Sequence, residues 1–220
     1  MLPRVVRLPR VYRPQEDTRL LAAALAEAAP PSGARVLDIC SGSGVLALTA
    51  AMMGTSEVVA VDISARAITS IRLNAAVRRL PVRALHGDVT DALRLGRFDV
   101  VLANPPYVPG SVAEDATCRN WLGGPDGRQV LDPLCDNASD LLENDGCMLL
   151  VQSEFADVDA TLARLRGTGL KAATVARTRI PFGPVLRRQA EYLEATGGCV
   201  PGVRTEELIV VRADKLVVPR

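Results

Sequence analysis

Four short apolar runs, separated by stretches of helical pattern, constrain this chain more than any other feature. Residues 35–39, 57–61, 82–86 and 98–103 each read as a strand, the third more weakly than the others. Apolar runs of four to eight residues bounded by turn signals mark buried strands. Residues 44–53 and 64–80 read as the helices between the first three, one ended by Gly54 and the other opened by Ser64 as N-cap. An alanine- and leucine-rich helix over 16–29, closed by Pro30-Pro31, comes before them. Strands alternating with helices of about 10 to 15 residues predict an α/β fold, a parallel sheet with helices on both faces.

The second half is less regular. A loop bearing glycine and proline over 108–126 leads to a helix over 128–142. Asn144-Asp145-Gly146 then turns the chain into a strand over 147–152, followed by a helix over 155–165 and a strand over 171–176. Residues 180–204 form a long link with a short helical stretch near 185–195, before a final strand over 206–211. The last two strands lack a full crossover helix between them, which predicts an antiparallel pair at the sheet edge.

Composition narrows the classes. A chain of 220 residues with 48% hydrophobic content supports one good-sized domain. A net charge of +1 gives no bulk electrostatic case for nucleic acid or an anionic membrane. Arg4, Arg7, Arg10 and Arg13 make the N-terminus locally basic, and the simplest reading is a solvated arm. The five cysteines are Cys40, Cys118, Cys135, Cys147 and Cys199, an odd count with no C-x-x-C pair. That argues against a disulfide framework and a zinc site, so no metal is expected, and it fits a reducing compartment. The cysteines read as buried small apolar residues. No apolar stretch reaches the roughly 18 residues of a membrane span, and the charged N-terminus lacks an apolar h-region. A cytoplasmic location without membrane association is the expectation.

The fourth strand runs into Asn104-Pro105-Pro106-Tyr107. Proline fixes its own φ and restricts the residue before it, so the turn is stiff. Open α/β sheets place ligands at the carboxyl ends of their strands. This corner offers an amide, backbone carbonyls without competing N–H groups, and an aromatic ring. Those parts suit a grip on a planar NH2-bearing group. Asn104, Pro105 and Tyr107 are therefore the candidate catalytic residues.

The first strand runs into Asp38-Ile39-Cys40-Ser41-Gly42-Ser43-Gly44. Gly42 and Gly44 allow a tight turn and close backbone approach to a ligand. Asp62 ends the second strand about 20 residues on, where an acid bonds a ribose diol. Asp88 follows the third strand, where an acid can meet an adenine amino group. The G-x-G-x-x-G spacing of a dinucleotide loop is not clean. A carboxylate at Asp38 would repel a pyrophosphate and attract an ammonium. The reading is S-adenosylmethionine over NAD, held by Asp38, Cys40, Ser41, Gly42, Gly44, Asp62, Ile63, Asp88, Val89 and Asn104. His86 and Trp121 read as packing residues, Trp121 with an option on the substrate mouth, and Glu154 and Asp159 as helix-start charges.

Together these residues resemble the class I methyltransferases, and more closely the HemK-type enzymes that methylate the glutamine of the Gly-Gly-Gln loop in peptide release factors. Tyr12-Arg13-Pro14-Gln15-Glu16-Asp17-Thr18 is similar to that family's Y-x-P-x-E-D-[ST] segment. The resemblance gives Thr18 a contact to the cofactor carboxylate. Trp121-Leu122-Gly123-Gly124-Pro125-Asp126-Gly127-Arg128, with Asp132, is similar to its W-x-G-G-x-x-G-R…D segment, a mark of the short branch. The resemblance covers residues 10–176. It implies a Rossmann-like, seven-stranded, mostly parallel sheet of order 3-2-1-4-5-7-6 whose last strand is antiparallel. It also implies one methyltransferase domain over 1–220, with residues 1–30 covering the cofactor and 180–204 an insertion. The implied partners are a protein substrate and a small activator protein. Cys40 departs from the family, which has glycine there. Enzymes that methylate the exocyclic amine of adenine share the Asn-Pro-Pro-Tyr grip, but normally add a target-recognition region and a basic surface. A nucleic-acid acceptor ranks second, a small amine or amide third, and a cofactor-binding regulator without turnover last.

Overall fold

A computed structural model describes residues 2–110 and 121–216. The middle of the loop expected over 108–126, Cys118 included, lies outside the described residues. Seven strands form one sheet: β1 Arg35–Ile39, β2 Glu57–Asp62, β3 Val82–His86, β4 Phe98–Ala103, β5 Leu142–Ser153, β6 Lys171–Pro181 and β7 Thr205–Asp214. Their order is β3-β2-β1-β4-β5-β7-β6, as the resemblance implied. The first five strands run parallel, and β7 is antiparallel to both β5 and β6.

Alternation along the strands assigns each residue to a face. Val36, Val58, Ala60, Val100 and Leu102 face α1 (Glu16–Ala28), α2 (Val45–Met52) and α3 (Ala65–Arg78), where Leu21, Leu25 and Ile71 complete one core. Leu37, Val59, Val61, Val101 and Met148 face the other side. There the core is completed from α4 (Val89–Leu93), α5 (Leu131–Asp136), α6 (Ala138–Leu141), α7 (Val158–Gly167) and α8 (Pro184–Ala195). With both faces covered, the inner strands read as continuous apolar runs.

Several elements differ from the sequence reading. The helix expected over 128–142 is two short ones, because Arg128 is buried as a strut before they begin. Its Nε donates to Asp132 at 2.8 Å, and its Nη1 donates to the Asp157 carbonyl at 2.7 Å. The turn at Asn144-Asp145-Gly146 is a bulge inside β5: Phe98 pairs with Leu142, but Val100 pairs with Cys147. The expected 155–165 helix is a 3₁₀ turn, Glu154–Ala156, followed by α7 capped by the Asp157 side chain. Strand β6 runs on to Pro181, and α8 is a full 12-residue helix opened by Pro184. It joins antiparallel neighbours, so the right-handed crossover rule does not apply to it. Helix α4 was not expected.

The N-terminal arm is docked by its backbone. Val6 N–H donates to Asn74 Oδ1 at 2.8 Å, Asn74 Nδ2 returns a bond to the Val6 carbonyl at 2.7 Å, and Leu8 N–H reaches Ser70 Oγ at 3.2 Å. The four arginines of the arm are exposed, as a solvated reading requires. His86 is exposed at the sheet edge and bonds the Ile63 carbonyl at 2.8 Å, rather than packing in the core.

Candidate active site

Register aligns the carboxyl ends of the central strands. Ile39 pairs with Val61 on one side and Ala103 on the other. The chain leaves β1 toward β2 and later returns to β4, so the strand order reverses between β1 and β4. Crevices form at such switch points. Here one opens as a cavity of about 430 Å³, lined among others by Cys40, Gly42, Asp62, Asp88, Asn104 and Tyr107.

The turn after β1 is left-handed at Cys40 (φ 58°), Gly42 (φ 56°) and Gly44 (φ 81°). A Cβ on Gly44 would lie 2.9 Å from Ile71 Cγ1, so helix α3 excludes any larger residue there. Cys40 takes a backbone conformation that glycine adopts at less cost. Burial, with Asp62 and Asp38 nearby, pushes the Cys40 thiol well above its ordinary pKa.

Asp38 is fully buried behind this turn and does not line the cavity. Its Oδ2 accepts the Ala47 N–H at 3.0 Å, in the first turn of α2, and its Oδ1 has no partner among the described residues. Burial pushes its pKa up to about 7. Asp62 is held at both oxygens: Oδ2 accepts the Gly42 N–H and Oδ1 the Ser64 N–H, each at 2.8 Å. Burial raises its pKa too. Each oxygen keeps a lone pair for a ligand hydroxyl. Asp88 is exposed and caps α4, its Oδ1 accepting the Thr90 N–H at 2.8 Å and the Asp91 N–H at 3.2 Å. Bonds from Thr90 and Asp91 hold its carboxyl below the usual range. Ile63 and Val89 line the cavity beside these two acids, whereas Thr18, Ser41 and Gly44 sit behind its wall.

At Asn104, Nδ2 donates to Asp17 Oδ2 at 3.1 Å and to Thr18 Oγ1 at 3.4 Å. Those acceptors fix which end of the amide faces α1, and so commit its carbonyl oxygen to the opposite side. Tyr107 donates its hydroxyl to Asp17 Oδ2 at 3.1 Å, and Tyr12 does the same at 2.5 Å. Asp17, 4% exposed, thus gathers three donors from the arm and the proline corner on one oxygen. The sequence reading named Thr18 in this segment and missed Asp17 and Tyr12. The signal was there: a carboxylate next to the inferred contact, in the first turn of a helix.

The glycine-rich segment packs on the same corner. Val108 donates its N–H to the Trp121 carbonyl and accepts one from Gly123 at 2.9 Å, and Gly110 N–H reaches the Gly124 carbonyl at 3.0 Å. Gly127 has φ 78°, and a Cβ there would collide with the Tyr107 carbonyl. Trp121 is half-buried, packs on the core and also lines the cavity. Glu206, on β7, lines the cavity as well and is 5% exposed, with Oε2 unpartnered among the described residues. The sequence reading passed over it as the head of an apolar strand. The groups that hydrogen-bond around Asn104 come from two stretches far apart in the chain, 12–18 and 104–107, an arrangement suited to aligning a nitrogen nucleophile.

Residues 11–180 match the family model of the methyltransferase small domain. A candidate protein N5-glutamine methyltransferase of Methanocaldococcus jannaschii is 32% identical over 179 residues, covering 79% of this chain and 88% of that protein. A release factor glutamine methyltransferase of Deinococcus radiodurans is 33% identical over 172 residues, covering 74% and 61%. Among solved structures, the Mtq2–Trm112 complex of E. cuniculi, described as responsible for methylation of a translation termination factor, superposes with a TM-score of 0.65. It is 24% identical and covers 94% of this chain and 99% of that one. No helix among the described residues is long and apolar enough to cross a membrane. The chain belongs to the methyltransferase small-domain family and, within it, to the HemK type whose motifs it carries from Tyr12 to Asp132.

Proposed function

We propose that this methyltransferase carries a methyl group from S-adenosylmethionine to a side-chain amide nitrogen of a protein, the glutamine of a peptide release factor. The observation that carries the reading is the locked orientation of Asn104. With Nδ2 turned to Asp17 and Thr18, its carbonyl oxygen is the end available to an N–H donor. Names of relatives on two branches, both specifying glutamine, support the acceptor.

The residues fit the cofactor. Asp38 lies behind the glycine turn and off the cavity, so it would not touch the ammonium and would act by tying that turn to α2 through the Ala47 N–H. Asp62, pinned by two backbone N–H groups, would hold a ribose diol. Asp88 and Val89 would flank the base, while Cys40, Ser41, Gly42 and Gly44 shape the turn beneath it. Bound there, the sulfonium supplies an electrophilic methyl group. The Asn104 oxygen and the Pro105 carbonyl would accept the two N–H groups of the incoming amide, stabilising the charge that grows on its nitrogen. The Tyr107 ring would pack on the flat amide, held in place by its bond to Asp17. A small activator protein is a further proposed partner, by analogy with the fold neighbour solved with Trm112. A translation factor as acceptor makes the cytoplasm the place of action.

The test is transfer of a radiolabelled methyl group to purified release factor, to its Gln→Ala loop variant and to an oligonucleotide. Label in the first alone supports the reading, and label in the oligonucleotide alone overturns it. Asn104→Ala should lower kcat by roughly 10²- to 10³-fold while cofactor affinity changes about threefold or less.

A further inference from the structure

Methylating an amide nitrogen releases a proton, and this cavity must send it somewhere. The carbonyl oxygens proposed to hold the N–H groups are too weakly basic to keep it. Asp17 is spent on its hydrogen bonds to Tyr12, Thr18, Asn104 and Tyr107. Asp62 and Asp88 are engaged by backbone N–H groups at the ends of β2 and β3.

Glu206 is different. It is buried, lines the same cavity as Asn104 and Tyr107, and keeps Oε2 without a partner among the described residues. An unpaired buried carboxyl oxygen costs free energy unless something fills it in use. We propose that the carboxylate of Glu206 is the proton acceptor of the methyl transfer. The amide nitrogen's lone pair forms the new N–CH3 bond. The C–S bond breaks, with its electron pair passing to sulfur. The surplus N–H proton moves to Glu206 and later to solvent.

The surroundings suit that role. The charged groups acting on Glu206 are acidic: Asp17 from α1 and Glu154 from the turn after β5. The phenols of Tyr12 and Tyr107 feel its charge in turn. Ser153, at the end of β5, lies near the carboxyl, and the cross-strand neighbour of Glu206 on β6 is the apolar Ile180. Burial then pushes its pKa up to about 7, where a base is most effective at neutral pH.

This inference rests on the proposed amide acceptor, and its test separates the two. If the wild-type chain methylates no amide, the acceptor reading fails first. If it does, kcat/KM for the wild type should rise through about pH 7 and level off. Glu206→Gln should lose that rise and fall by roughly 10²-fold at pH 8, with cofactor affinity unchanged. Retention of the pH limb, or activity within threefold of wild type, overturns the proposal. Should Glu206→Gln fail to bind cofactor, Glu206→Ala with added formate decides. Recovery of methyl transfer supports a proton-accepting role, and no recovery overturns it. Thermal melting supplies a readout apart from turnover. The wild type should lose stability between about pH 5 and pH 8 relative to Glu206→Gln, and identical melting profiles count against a raised Glu206 pKa and overturn the role.

Discussion

Asp38 answers two conflicting demands. Its Oδ2 ties the end of β1 to the first turn of α2, yet its full burial penalises the charge that makes a carboxylate a good cap. With the folded pKa near 7 and the unfolded value near 3.9, the sign follows. The protonated acid is favoured in the fold, so its stabilising contribution is complete below the unfolded value and is lost as pH rises through about 7. Asp38→Asn keeps an oxygen for the Ala47 N–H and removes the charge. It should raise the melting temperature at pH 8 and do so much less at pH 4, as calorimetry at the two pH values would check. Not every such residue could be read in advance. Asp62, Asp88 and Asn104 follow apolar runs, so their placement at the cavity needed only strand periodicity. Asp17 and Glu206 matter through groups far away in sequence, 87 positions in the case of Asp17 and Asn104. For Asp17 the helix-start position hinted at a role, but not at its partner.

Among the elements, the arm before α1 shows how a segment without helix or strand is fixed. Asn74, fully buried on α3, bonds both the N–H and the carbonyl of Val6 and reaches the Ser43 carbonyl at 3.2 Å. An amide side chain here does the work of a neighbouring strand. Asn74→Ala should cost about 1–3 kcal/mol, since it removes two part-buried bonds to the arm and a buried one to the Ser43 carbonyl. It should also speed tryptic cleavage after the exposed Arg7 and Arg10, measured by the rate at which the arm is lost. Strands β1 to β4 and helices α1 to α3 were legible because composition and period agree within each. The second half was harder for definite reasons. Arg128 reads as a helix opener, but the Asp157 and Ala156 carbonyls claim it. Asn144-Asp145-Gly146 carries turn chemistry that the sheet uses for a bulge. Helix α4 did leave a trace, Asp88 and Asp91 spaced as a capping box, but five residues are too few for periodicity to show.

At the scale of the molecule, the sheet is graded. The central strands β1, β4 and β5 are buried almost throughout, while β3 at one edge buries only Ala84. Opening free energy follows burial. Native-state hydrogen exchange should be slowest in β4 and β5 and faster by orders of magnitude in β3. Equal protection across the sheet would contradict this gradient. The cavity rests on the slow-exchanging strands, with α1 and α8 laid over it from opposite ends of the chain. The pairing of β7 carries a different consequence. Of the seven strands, the one latest in the chain takes an interior slot between β5 and β6. A nascent chain paused after β6 has a gap in its sheet, with the ladder of Leu149 to Ser153 bare and ready for any extended peptide. Truncation before residue 205 would therefore leave an adhesive intermediate rather than a smaller working domain, and chaperones would meet this protein at that seam.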